Sequence, residues 1–99
     1  MEKQKPTHDL AAFKLAFTQH RAITLGAVRS ARELGYSVTD LISLVEALMP
    51  RHFYKSMTSL HNHRQWQDVY HLPHEDRLIY VKFTDHILTE FVLLSFKEK

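Results

Sequence analysis

The sequence predicts an α+β domain, with N-terminal helices packed on one face of a C-terminal antiparallel sheet. Up to residue 48 apolar residues recur at the spacing of an amphipathic helix. Beyond residue 53 apolar and polar residues alternate, as they do in half-buried strands. Helices followed by consecutive strands are typical of this layout. The 99 residues contain no repeat or linker, so we expect a single domain over residues 1–99.

The first helix is predicted over residues 8–19. Its apolar stripe consists of Leu10, Phe13 and Phe17. Pro6 and Thr7 precede it, and we expect Thr7 to be the N-cap because its hydroxyl can accept a backbone N–H. Residues 20–24 then form a connector, which is either a loop or a short edge strand.

The second helix is predicted over residues 25–34 and ends at Gly35, since glycine suits the left-handed backbone of a helix stop. Its solvated side carries Arg29 and Arg32. The apolar spacing predicts that the other side is buried against the sheet. The residues of that buried stripe are Ala27, Val28, Ala31 and Leu34.

The third helix is predicted over residues 38–48. Ser37, just before the helix, and Asp40, three residues later, resemble a capping box with aspartate in place of the usual glutamate. Pro50 follows, and it suits the first position of one further turn. The apolar positions of this helix are Val38, Leu41, Ile42, Val45 and Leu48.

Four strands are predicted in the C-terminal half. The clearest cover residues 79–83, whose apolar members are odd-numbered, and 92–97, in which Val92, Leu94 and Phe96 alternate with Leu93, Ser95 and Lys97. Residues 54–60 and 65–71 give two weaker strands. Turns are expected at residues 61–64, 72–76 and 85–86.

Side chains alternate between the two faces of a strand, so parity predicts which of them face away from the helices. In the third strand Tyr80 and Lys82 point outward, because the odd-numbered residues are apolar. In the fourth strand Ser95 and Lys97 point outward. The residues expected to be buried in that fourth strand are Val92, Leu94 and Phe96.

The second strand adds a further outward residue. Burial of Trp66 and Tyr70 places Gln67 on the open face, whereas Lys55 stays ambiguous because the first strand has no clean apolar side. If Lys55 also faces outward, several polar groups lie within cross-strand reach. The candidate catalytic set is Lys55, Gln67, Tyr80 and Lys97.

Such a set suits the cleavage of RNA without a metal or other cofactor. A ribose 2′-OH attacks the adjacent phosphate, and ammonium groups stabilise the charge that builds on the phosphoryl oxygens. A tyrosine or lysine can move protons if neighbouring cations lower its pKa. In this hypothesis Lys55 and Lys97 stabilise charge, Tyr80 transfers a proton and Gln67 positions the scissile group.

Other residues are candidates for substrate binding: Lys82 on the same face, Arg29 on the second helix and His63 in a loop. The chain has eight histidines, but their spacing matches no common zinc pattern, so we predict no metal site. Asp68 either pairs with a nearby lysine or is an ordinary strand charge. Polar residues on the open face of a sheet are also common without any function.

Composition limits the cellular setting. The formal net charge of +2 and the pI near 9.0 are compatible with a nucleic-acid partner. The absence of cysteine excludes disulfides and thiol catalysis. No apolar run approaches the roughly 20 residues that cross a bilayer, and the N-terminus lacks the features of a signal peptide. We therefore expect a cytoplasmic protein that does not contact a membrane.

The C-terminal motifs resemble those of the motility quorum-sensing regulator (MqsR) toxins, which belong to type II toxin–antitoxin systems. The resemblance covers nearly the whole chain and is most specific in its second half. The segments that carry it are Phe53-Tyr54-Lys55-Ser56-Met57-Thr58, His63-x-x-Trp66-Gln67-Asp68-Val69-Tyr70, Tyr80-Val81-Lys82 and Ser95-Phe96-Lys97-Glu98-Lys99.

The resemblance implies a RelE-like fold and an mRNA interferase, an endoribonuclease that works without the ribosome at short GC-containing sites such as GCU. It also implies neutralisation by a cognate antitoxin with a zinc-binding N-terminal domain and a helix-turn-helix domain, so that DNA is reached only through the antitoxin. The family's catalytic residues fall on the four that parity selects. These are Lys55, Gln67, Tyr80 and Lys97.

The residues leave other functions open. A non-catalytic module would use the same basic face to bind RNA or a protein. A purely structural partner would use an exposed strand edge for pairing. The catalytic reading predicts cut RNA, whereas the binding module predicts intact RNA held with a salt-dependent affinity.

Overall fold

The computed structural model describes residues 1–96, so predictions about Lys97 and the two residues after it lie outside the described part. A five-stranded antiparallel sheet runs in the order β1-β2-β3-β4-β5, and this confirms the α+β prediction. The helices are α1 Leu10–His20, α2 Leu25–Glu33 and α3 Val38–Glu46, with a 3₁₀ turn at Pro50–His52. The strands are β1 Glu2–Lys3, β2 Phe53–Thr58, β3 Trp66–His74, β4 Arg77–Thr84 and β5 Ile87–Phe96.

The core lies between the helices and one face of the sheet. Phe13 of α1 stacks on Phe83 of β4 with ring centroids 3.8 Å apart, and Phe17 lies beside Phe13. Ala27 and Ala31, both buried, let α2 approach β5 closely because their side chains are small. Within residues 1–96 no helix has the length and apolar character needed to cross a bilayer.

The start of α1 differs from the prediction. Asp9, not Thr7, is the N-cap, and its carboxylate accepts the N–H of Ala12. The N–H groups of Thr7 and His8 instead donate to the carboxylate of Asp68, which is fully buried. The prediction was wrong because Asp68 draws this segment onto the sheet before the helix begins. Asp68 therefore holds backbone amides and not a lysine.

The other predicted helix signals are confirmed. Gly35 follows α2 with a φ of 89°, a left-handed backbone that glycine adopts without strain. Ser37 and Asp40 form the capping box: the Ser37 hydroxyl accepts the N–H of Asp40, and the Asp40 carboxylate accepts the N–H of Ser37. The α3 helix is two residues shorter than predicted, although Leu48 is still buried in the core.

Replacing Ser37 with alanine should lower the free energy of unfolding by about 1 kcal/mol, because the Asp40 N–H loses its acceptor. Urea denaturation measures this change as a shift of the midpoint. Ser43→Ala, an exposed position inside the same helix, is the matched control and should change stability by less than about 0.5 kcal/mol. Equal midpoints for Ser37→Ala and Ser43→Ala would show that the cap does not stabilise α3.

The predicted burial of β5 is wrong. Val92, Leu94 and Phe96 are 37%, 48% and 60% exposed, whereas Leu88 and Phe91 are fully buried. The register shifts twice against β4, where Thr89 and Leu94 are extra residues in β5. Each extra residue reverses the parity of the residues that follow it. Apolar and polar residues do alternate in β5, but because of the two extra residues this alternation does not show which side chains are buried.

Two edge features complete the sheet. Residues Glu2–Lys3 pair with β2 as a short strand that the sequence did not predict. The connector after α1 forms no strand, but it makes a single parallel bridge to the sheet, Ile23 with Leu88. Leu88 donates its N–H to Ala22 and accepts the N–H of Thr24. These bonds cover only the first part of the β5 edge.

Candidate active site on the open sheet face

A bulge in β2 places Lys55 on the face opposite the helices. Phe53 pairs with Tyr70 on the core face, and Lys55 pairs with Val69, so Tyr54 is the extra residue between them. Without this bulge Phe53 and Lys55 would share a face. The ambiguity left by the sequence is therefore resolved: Lys55 lies on the open face.

The open face is organised around Val69 of β3. Lys55 of β2 and Lys82 of β4 are both register partners of Val69, one from each side. Adjacent strands lie about 4.8 Å apart, so the two lysine backbones are about 10 Å apart. Val69 is fully buried although no helix covers it, as expected where aliphatic lysine stems cover an apolar centre.

Tyr80 and Gln67 lie on the same face, in opposite directions from this centre. Tyr80 pairs with His71, and Gln67 pairs with Met57. His71 and Gln67 are each two residues from Val69 along β3, or about 7 Å. Lys55, Tyr80 and Lys82 therefore surround one small area, with Gln67 at its margin.

Both lysines of the open face are paired with acids. The Lys55 ammonium donates to Glu2 at 2.6 Å, and the Lys82 ammonium donates to Glu90 at 2.8 Å. Glu2 reaches Lys55 because the unpredicted β1 pairs with β2. Each carboxylate is about half exposed, so it can turn to solvent when an anion approaches the lysine.

The two titrating groups at the centre keep their protons. The hydrogen bond to Glu2 raises the pKa of Lys55, so this side chain stays an ammonium. Burial and, secondly, the charge of Glu90 raise the pKa of Tyr80, although Lys55 acts in the other direction. The sequence predicted proton transfer by a tyrosine on the condition that cations lower its pKa, but burial is the larger effect and raises the pKa of Tyr80. The phenol of Tyr80 is thus a hydrogen-bond and proton donor near neutral pH.

Two further residues of this face were not predicted, Tyr54 and His71. Tyr54 stacks on the His71 ring with centroids 4.1 Å apart, and the His71 ring lies 6.1 Å from that of Tyr80. The signal was present for His71, which shares the odd parity of Gln67 along the same strand. Tyr54 gave no signal, because a bulge position does not follow strand alternation.

The remaining predicted site residues lie elsewhere. His63 is exposed in the loop between β2 and β3, and Arg29 is exposed on α2, which packs against β5. Lys97 lies outside the described residues. The catalytic and binding roles of all these residues stay predictions. Across residues 1–96, no three histidine, aspartate or glutamate side chains lie together as metal ligands would.

Two comparisons with known proteins indicate the same family for this chain. The family described as "Motility quorum-sensing regulator, toxin of MqsA" matches residues 5–98. The mRNA interferase toxin MqsR of Escherichia coli (strain K12) is 34% identical over 100 residues, and the alignment covers 100% of each chain. The predicted class of enzyme, an endoribonuclease toxin, is confirmed at the level of the family. The chain therefore belongs to the motility quorum-sensing regulator (MqsR) toxin family.

Proposed function

We propose that this protein is an mRNA interferase that cleaves cytoplasmic mRNA without a metal and thereby inhibits growth. The observation that carries the proposal is the convergence of Lys55, Lys82 and Tyr80 around Val69, in a chain of a toxin family. Two ammonium groups and a protonated phenol suit a phosphodiester, since they bind its oxygens and stabilise added negative charge.

The reaction is a transfer of the phosphoryl group within one nucleotide. The ribose 2′-oxygen loses its proton and bonds to phosphorus, the bond from phosphorus to the 5′-oxygen breaks, and that oxygen takes a proton. The products are a 2′,3′-cyclic phosphate and a 5′-hydroxyl. In this proposal Lys55 and Lys97 stabilise the phosphoryl charge, and Tyr80 gives its proton to the leaving oxygen.

The other residues bind and position the RNA. Gln67, at the margin of the site, orients the scissile group through its amide without adding charge. Lys82, His63 and Arg29 hold flanking phosphates or bases. His63 and Arg29 are exposed, whereas the ammonium of Lys82 becomes available when Glu90 turns aside. We propose cleavage at short GC-containing sites such as GCU, as the resemblance implies. The paired carboxylates of the two lysines must turn aside as the phosphate enters.

We further propose that a cognate antitoxin docks on the β5 edge. Within the described residues β5 has a sheet neighbour on β4 only, and the bonds from the connector stop at Thr89. Beyond that point Val92, Leu94 and Phe96 are exposed, so an added strand would gain both backbone hydrogen bonds and apolar contact. The antitoxin's zinc-binding and helix-turn-helix domains, and contact with DNA through it, belong to this proposal.

The purified protein should cut an unstructured GCU-containing RNA in the presence of EDTA and leave a 2′,3′-cyclic phosphate. Denaturing gels give the rate, and mass spectrometry identifies the new end. The same RNA with a 2′-O-methyl group at the cleaved nucleotide is the matched control and should stay intact, because it lacks the attacking hydroxyl. In cells, expression should arrest growth, and the antitoxin should relieve the arrest.

Two outcomes contradict the proposal. Cleavage that requires an added divalent metal, or that leaves a 3′-hydroxyl, excludes attack by the 2′-OH. RNA that is retained without cleavage, with an affinity that falls steeply with salt, indicates the non-catalytic binding module instead. A toxin carrying Leu94→Glu that is still neutralised by the antitoxin would remove the β5 edge from the docking proposal.

A further inference from the structure

We propose that His71 is the base that accepts the proton of the attacking 2′-OH. The inference rests on the proposed function and adds a residue to it. His71 was not among the candidate site residues. It is the cross-strand partner of Tyr80 and lies on the open face two positions from Val69. The centroids of the two rings are 6.1 Å apart.

The position of His71 fits an in-line displacement. The attacking and leaving oxygens lie on opposite sides of the phosphorus, so the base and the acid must flank it. His71 and Tyr80 are neighbours from two strands, and Lys55 approaches the same area from a third. When Lys55 binds the phosphate, the imidazole of His71 is therefore available to the 2′-OH of the adjacent ribose. The phenol of Tyr80 is available to the 5′-oxygen that leaves.

The ring of His71 is held, but its nitrogens are available. Tyr54 stacks on the ring at 4.1 Å with an interplanar angle of 19°, which fixes its orientation. In residues 1–96 the rings of His8, His52 and His74 each form a hydrogen bond, whereas neither nitrogen of His71 has a partner. Among residues 1–96, every fully buried side-chain nitrogen has a hydrogen-bond partner. The two nitrogens of His71 have none, so both must be accessible to solvent. A ribose hydroxyl can reach such a nitrogen.

The electrostatic setting favours the neutral imidazole that a base needs. Burial lowers the pKa of His71, and the ammonium of Lys55 lowers it further. The groups that face it from neighbouring strands are Tyr54 and Lys55 on β2 and Tyr80 on β4, with Glu2 and Glu90 beyond them. His71 with a lowered pKa and Tyr80 with a raised one give a base and an acid that coexist at neutral pH.

In the complete step His71 takes the proton of the 2′-OH as the 2′-oxygen bonds to phosphorus. The bond to the 5′-oxygen breaks, and that oxygen receives the phenolic proton of Tyr80. The site then holds an imidazolium and a phenolate, and proton exchange with water restores both. No oxidant, metal or further reactant is needed.

The test compares two substitutions that separate proton transfer from stacking. His71→Gln keeps a hydrogen-bonding side chain without the ring, and His71→Phe keeps the ring on Tyr54 without a basic nitrogen. Both should lower the single-turnover rate on GCU-containing RNA about 10²-fold at neutral pH. The wild-type rate should rise with pH through a value below 6.5, the ordinary pKa of histidine. This rise should be absent from both variants.

An NMR titration of the histidine rings gives a second readout that does not depend on the rate. The resonance missing from His71→Gln should titrate at the same pH as the acidic limb of the wild-type rate. His86→Gln, in the exposed turn between β4 and β5, is the matched control and should keep both the rate and its pH profile.

The outcomes are distinguishable. Wild-type protein that does not cut RNA overturns the proposed function and the role of His71 with it. Wild-type cleavage with unchanged rates in both variants overturns the role of His71 alone. An active His71→Phe beside a slow His71→Gln shows that the ring serves only to stack on a base or on Tyr54, and this also rejects proton transfer.

Discussion

Replacing Tyr80 with phenylalanine should slow RNA cleavage by about 10³-fold, within the range that positioned acids and bases contribute. The substitution removes only the hydroxyl, so the ring keeps its place opposite His71. The loss follows because, in the proposed step, the phenol of Tyr80 gives its proton to the leaving oxygen. Its raised pKa means that the phenol is protonated at neutral pH. The measurement is the single-turnover rate, with circular dichroism and the urea midpoint to show that the fold is retained.

Tyr36→Phe is the matched control for this prediction. The hydroxyl of Tyr36 bonds to the ring of His74, and its ring packs against Phe91 of the core. Losing that hydroxyl should cost some stability but leave the cleavage rate within about twofold of wild type, since surface and core changes away from the site do not alter the barrier. A Tyr80→Phe protein that cleaves at the wild-type rate removes Tyr80 from the chemistry.

The second large effect is expected at Asp68. Replacing it with alanine should lower the free energy of unfolding by about 2–5 kcal/mol, because the backbone amides of Thr7 and His8 lose their acceptor, a fully buried carboxylate. Thr7 donates its N–H to both carboxylate oxygens at 3.1 and 3.0 Å, and His8 donates its N–H at 2.8 Å. Urea denaturation monitored by the fluorescence of Trp66 measures the change.

Asp68→Asn and Asp76→Ala complete this experiment. The asparagine keeps the volume and one carbonyl oxygen, so it should lose less stability than the alanine. Asp76 is an exposed turn residue, and its replacement should change the midpoint little. If Asp68→Ala unfolds at the wild-type urea concentration, the carboxylate does not hold the N-terminal segment on the sheet.

Asp68 also links stability to the proposed site. It holds the segment that carries Glu2, and Glu2 pairs with the ammonium of Lys55. The sequence showed Asp68 only as a charge within a strand, with a lysine as the suggested partner. Its actual donors are the backbone amides of Thr7 and His8, which lie 61 and 60 residues earlier in the chain. No local pattern reports contacts across such a separation.

Much of the site was predictable because β4 is regular. Ile79, Val81 and Phe83 alternate with Tyr80 and Lys82, and the structure confirms this parity. Gln67 was placed correctly for the same reason, since the core-facing residues around it are even-numbered. Both bulges between β4 and β5 lie on β5, and β4 has no extra residue of its own. Its hydrophobic pattern is therefore transmitted directly to its two faces.

Bulges account for the main errors and for the ambiguity. The extra residues Thr89 and Leu94 reverse the phase of β5, and the extra residue Tyr54 turns Lys55 to the open face. A bulge depends on how two strands twist against each other, and a single strand's composition carries little of that information. The exposed apolar residues of β5 are one result.

The sequence by itself determined the order of the three helices and of the four strands after them, the capping box at Ser37 and the outward direction of Tyr80 and Lys82. These features depend on contacts between residues a few positions apart, so they appear in the spacing of apolar and polar residues along the sequence. Only the tertiary structure decided that Lys55 faces the site, that its ammonium pairs with Glu2, and that His71 lies opposite Tyr80. Those arrangements arise from the register between strands, which is set by the packing of the whole sheet and not by any one segment.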